Sequence, residues 1–184
     1  MKARLLTLAA LLLLVLAACT PPPITIGLSD VKIDLSVAVD SAGKVIFPES
    51  PLELKNPLPG TSVASVTVRG EARLEQAATL SFDVYATDTD PGESGLGCPK
   101  VGTMLTGYFY VCDPDTEGVV MVSKNTIAFN NQTGPVSFTL SGEVLASGIN
   151  KQTLYLGAVI SGGSAGNTLY LENLTATVQL NVGK

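Results

Sequence analysis

From Val31 the chain alternates strictly: Val31, Ile33, Leu35, Val37 and Val39 are apolar, whereas Lys32, Asp34, Ser36 and Asp40 are polar. Successive side chains of a strand point to opposite faces, so a period of two gathers the apolar groups on one side and predicts a half-buried strand. The same period returns at 63–69, at 79–87, where Leu80, Phe82, Val84 and Ala86 share a face, and at 153–160, where Leu154, Leu156, Ala158 and Ile160 do. Beyond the N-terminal run, no helical period is sustained for more than about ten residues. About eight to eleven short strands with turns roughly every 8–12 residues predict an all-β domain over 31–184, an antiparallel β-sandwich of immunoglobulin-like or jelly-roll kind.

Turn-forming residues divide these strands. Ser41-Ala42-Gly43-Lys44 reads as a turn that returns through Val45-Ile46-Phe47. Pro48, Pro51, Pro57, Pro59 and Gly60 make 48–60 a crossing loop, because proline has no N–H to give a ladder. Residues 70–78 read as strand continuation or turn, and 88–118 is the least regular stretch. Short strands follow at 119–122, 126–129 and 135–141. A helical turn from Glu143 to Ser147 is expected to end at Gly148, and strands at 169–172 and 174–182 close the domain.

The first residues set the compartment. Met1-Lys2-Ala3-Arg4 is basic, Leu5 to Ala18 is an almost unbroken apolar run, and Cys19 follows, then Thr20-Pro21-Pro22-Pro23. The run is shorter than the roughly 20 residues a membrane-spanning helix needs and has the length of a signal-peptide core. Leu16-Ala17-Ala18-Cys19 resembles the lipobox of bacterial lipoproteins. That resemblance implies removal of 1–18, acylation of Cys19, and a cell-envelope protein whose membrane partner is reached through its lipid. In that family an Asp after the lipidated cysteine often marks inner-membrane retention; Thr20 stands here, which favours the outer membrane. Residues 19–30 then form a lipidated, proline-rich tether, extended at about 3 Å per residue in its proline run.

Without 1–18 the chain has 166 residues and nine basic against sixteen acidic side chains, a net charge of −7. An acidic domain is repelled by anionic lipid and by nucleic acid, so acyl chains rather than a basic patch must hold it, and no nucleic-acid partner is expected. If Cys19 carries lipid, Cys98 and Cys112 remain, and in an exported protein they are expected to pair as a structural disulfide. A redox pair or a metal pair is the alternative, but neither C-x-x-C spacing nor any His supports it.

Two features could carry a function. Asp88, Asp90 and Glu93 precede Cys98, and Asp113, Asp115 and Glu117 follow Cys112, so a bridge would draw the two acidic runs together. Calcium takes six to eight oxygen ligands from flexible loops, which makes these residues its candidate ligands; the plainer reading is two solvated acidic turns, since Pro91 and Pro114 interrupt both runs. No other cofactor is expected. Tyr108-Phe109-Tyr110 lies inside the proposed disulfide loop. If it is extended, Tyr108 and Tyr110 face one side, as a contact patch or as packing over an open sandwich end.

The chain has no His and no Trp, which excludes an imidazole base, the Ser-His-Asp triad and a tryptophan platform for sugars. Ser29-Asp30-Val31-Lys32 and Ser41-Ala42-Gly43-Lys44 match S-x-x-K, but neither opens a helix and no K-T-G accompanies them. A carboxylate pair of glycosidase type is not excluded by sequence, but it would find few aromatic residues to line a sugar cleft. The resulting expectation is a non-enzymatic envelope lipoprotein, a structural or accessory subunit with an envelope protein partner. The rival expectation is a calcium-dependent binding or adhesion module built on the acidic loops.

Overall fold

A computed structural model describes residues 22–35, 43–55, 62–92, 94–103, 107–123, 125–162 and 167–181. Residues 1–21, which include Cys19 and the start of the expected tether, and Glu93 lie outside these residues. Among the described residues twelve strands form two antiparallel sheets that enclose one apolar core, the sandwich that the alternation predicts.

The five-stranded sheet is built around its two longest strands, β4 (Val63–Leu74) and β12 (Thr168–Leu180), paired side by side. β10 (Val136–Ser141) adds to the far side of β4, while β1 (Ile24–Gly27) and β2 (Val31–Asp34) share the far side of β12. Inward residues are Val66, Val68, Ala72 and Leu74 on β4 and Leu169, Leu171, Leu174, Ala176 and Val178 on β12, all buried. On β12 the inward residues are odd-numbered before Asn173 and even-numbered after it. A register shift between Glu172 and Thr175, with Asn173 at φ 54°, makes that switch. The extra residue of a bulge reverses parity, and Asn tolerates a positive φ better than most residues, so the two expected closing strands are one bulged strand.

The seven-stranded sheet runs in the order β6 (Lys100–Thr103), β7 (Gly107–Cys112), β3 (Val45–Pro48), β11 (Tyr155–Gly162), β5 (Ala78–Thr87). Both β8 (Val120–Met121) and β9 (Ile127–Gln132) pair with the remaining side of β5. Leu80, Phe82, Val84 and Ala86 of β5 face the core as expected, with Leu156 and Ala158 of β11 beside them. The Phe82 and Phe129 rings stack with centroids 6.3 Å apart.

Four local readings differ from the structure. β1 lies within the stretch expected as tether, because Ile24 and Ile26 find an edge of β12 to pair with. The apolar runs 31–35 and 45–47 do not form a hairpin: β2 joins the five-stranded sheet and β3 the seven-stranded one. The irregular 88–118 contains a hairpin, β6 with β7. The helical turn continues through Gly148 as α1 (Glu143–Lys151) and stops at Gln152, whose φ of 58° is left-handed. Gly148 packs against Leu154, so its small size serves packing rather than termination. α1 buries Leu145, Ala146 and Ile149, and its Asn150 amide clamps Val63, accepting from the backbone N–H at 2.8 Å and donating to the carbonyl at 3.1 Å.

Candidate functional site

The outer face of the seven-stranded sheet is not left to solvent. Val45 and Phe47 of β3, Tyr155 of β11 and Cys112 of β7 point away from the main core and are nonetheless buried. They form a second apolar cluster with Cys98 and Val119, flanked by Tyr85, Leu96, Tyr110 and Val159. Gly157 makes room for it: a β-carbon there would stand 2.7 Å from the Phe47 ring and 2.6 Å from the Ile46 carbonyl. Phe47 thus lies across a bare stretch of the neighbouring strand.

The cover is the segment that holds the acidic residues and the disulfide. Cys98 and Cys112 are bonded, with 5.1 Å between their Cα atoms, which ties the cover to β7. Its first half folds on itself. The Asp90 carboxylate accepts the Gly92 N–H at 2.8 Å and the Ser94 hydroxyl at 2.7 Å, while the Asp90 carbonyl accepts the Leu96 N–H at 2.8 Å. The hydroxyl and backbone donors hold the Asp90 carboxyl below its ordinary value. The Cys98 N–H donates to the Pro91 carbonyl at 2.8 Å, which sets the cysteine in place.

Asp88 fastens the same cover to α1. Its carboxylate accepts Lys151 Nζ at 2.7 Å, the Ser147 hydroxyl, and the Thr89 hydroxyl at 3.2 Å; its carbonyl accepts the Thr153 hydroxyl at 2.8 Å. Burial raises this carboxyl, but the donors from Lys151, Ser147 and Thr89 outweigh it and leave the group below the ordinary range.

The second acidic run is arranged differently. Asp113 pairs with Lys44 at the surface, and Asp115 and Glu117 are exposed around a turn in which the Thr116 N–H donates to the Asp113 carbonyl at 3.0 Å. The disulfide brings the two runs to one side of the sheet, yet Asp88, Asp90 and Asp113 are each engaged by protein donors. Among the described residues, no three His, Cys, Asp or Glu side chains stand where one metal ion could reach them.

No protein-family model matches this chain, and no curated protein matches it.

Tyr108 and Tyr110 share the outer side of β7, opposite Phe109, as the extended reading expects. They part there. Tyr110 belongs to the covered cluster and lies on Gly92, where a β-carbon would stand 3.0 Å from its ring and hydroxyl. Tyr108 sits at the sheet edge with Lys100 Nζ 4.4 Å from its ring centroid, and Lys100 also pairs with Glu49 at 2.5 Å. Burial, more than the nearby acids, raises the Tyr85 and Tyr155 phenols. The region is thus a disulfide-stapled cover over a second apolar cluster. Ser147, Lys151 and Thr153, which anchor it, were missed in the sequence. Its one legible sign was Val45-Ile46-Phe47, three consecutive apolar residues, the pattern of a strand buried on both faces.

Proposed function

We propose that the chain is a cell-envelope lipoprotein, acylated at Cys19 and held at a membrane, with the outer membrane favoured, acting as a structural or accessory subunit through protein contacts rather than catalysis. The observation that carries this reading is the coincidence of a basic start, the apolar run from Leu5 and Leu16-Ala17-Ala18-Cys19. The Cys98–Cys112 bridge supports it, because disulfides persist in exported proteins and are rare in a reducing cytosol. Ile24 opens β1 five residues after Cys19, so an acylated chain would hold its domain close against the bilayer.

The intact mass of the chain extracted from membranes tests it. The expected species begins at Cys19, carries a diacylglyceryl and an acyl increment, and gains two hydrogens on reduction of Cys98–Cys112. A membrane-extracted chain that retains residues 1–18 without added lipid overturns the reading. Gentle detergent extraction through a C-terminal tag is then expected to bring an envelope protein in fixed stoichiometry, and recovery as a lone monomer removes the subunit role.

A further inference from the structure

The two sheets close on each other unevenly. On the β9 and β10 side they leave a groove of about 560 Å³, whose walls include Ile127, Val136, Ser137, Phe138 and Thr139, with Arg69 at its rim. β10 pairs with β4 on one side only. On the other side its C-terminal end meets Ser123 and Val122, while nothing among the described residues pairs with Val136 to Thr139. Such an edge presents unpaired N–H and C=O groups, and proteins usually guard it with a charge or a proline inside the strand. Val136-Ser137-Phe138-Thr139-Leu140-Ser141 contains neither.

We propose that this edge receives an extended peptide strand of a partner protein, added beside β10, in which apolar residues alternate with an acidic one. The alternation follows from the groove itself. Val136 and Phe138 turn toward the interior with Ile127, and Ser137 and Thr139 turn to the outer face. A strand laid alongside therefore puts every second side chain against apolar groups and the others over the outer face.

The charge follows from Arg69. It stands directly opposite Thr139 on β4, is exposed, and has no partner among the described residues. An added strand would lie two strand spacings from β4, about 10 Å, within the combined reach of an arginine and an aspartate or glutamate across Thr139. Arg69 is the one charged residue on the described walls of the groove, in a chain of net charge −5. β9 offers a poorer edge, since Asn131 at φ 53° and a register shift opposite Ala78 and Thr79 break its regularity.

The proposal gives the contact role argued above a surface, and so rests on that role but not on the lipid anchor. The test uses the full chain in detergent and two probes, acetyl-Thr-Val-Asp-Val-Thr-Val-amide and its Asp→Lys twin, with amide hydrogen exchange as the readout. The aspartate peptide is expected to slow exchange within Val136–Thr139. Arg69→Glu is expected to weaken that peptide about fivefold and to favour the lysine twin. Arg69 is exposed, so the variant keeps its fold. Absence of protection at millimolar peptide, protection at β9 instead, or indifference of both peptides to Arg69→Glu overturns the proposal. Protection that rises with protein concentration before any peptide is added also overturns it, by identifying a second copy as the occupant. Because this experiment is independent of acylation, its failure leaves the mass measurement of the lipidated chain standing.

Discussion

The outer faces of the two sheets follow opposite policies. That of the five-stranded sheet is solvated: Lys32, Tyr170 and Arg73 line up across β2, β12 and β4, with the Arg73 guanidinium 4.4 Å from the Tyr170 ring and paired to Glu172 at 2.8 Å. That of the seven-stranded sheet carries Val45, Phe47 and Tyr155 and is roofed by a disulfide-bonded loop. A polar face needs no roof, because water satisfies it. An apolar outer face must be covered, and the cover then depends on whatever pins it down. The difference teaches that the irregular stretch 88–118 is not a loose appendage but the lid of a second, smaller core.

Phe47 gives the largest way to break that contrast. Its ring is fully buried between Gly157 and the cover, so Phe47→Ala removes it from a site with little room to collapse, at a cost of about 3–5 kcal/mol. Urea unfolding is expected to show that loss. Tyr170→Ala on the solvated face, measured in the same way, should lose far less; equal losses would mean that the covered face is no more a core than the open one.

The disulfide comes next. Cys98 and Cys112 are 14 positions apart, and a loop of that size is worth about 3 kcal/mol in the chain-entropy account. Replacing both with Ala should lower the urea midpoint accordingly. It should also let the amides of β3 exchange before those of β4 and β12, as a local opening. Uniform loss of protection in both sheets would show instead that the lid and the main core unfold as one unit.

Much of the sandwich was legible because inward positions alternate, and even the Asn173 bulge shows as a change of parity between Leu171 and Leu174. Sheet membership was not. β4 pairs with β12 across roughly a hundred residues of chain, and nothing local to 31–47 says that β2 and β3 belong to different sheets. The acidic runs were visible, but their partners were not. Asp88 reads as a turn residue, and only the fold places it beside Ser147 and Lys151, some sixty positions later. The groove at Arg69 was out of reach for the same reason, since which strands end a sheet is a property of the whole topology.

Asp88 sharpens the comparison further, because it holds the lid to α1 through a titrating group. Its carboxyl sits below the ordinary value in the folded chain despite burial, since Lys151, Ser147 and Thr89 favour its charged form. The folded state therefore binds this proton more weakly than the unfolded one. The stability it contributes is fully present above the unfolded value of about 3.9 and is lost as pH falls through the folded value. Asp88→Asn keeps the shape, loses the charge-assisted bonds, and is expected to cost about 1–2 kcal/mol at pH 7. The same change should cost less at acid pH, where the unfolded chain holds a proton that the wild-type carboxyl must release to make these bonds. Urea midpoints at pH 7 and at about pH 3 for both proteins measure the difference. A gap that stays constant with pH would mean that Asp88 holds the lid by shape alone and that its ion pair with Lys151 contributes nothing to the attachment.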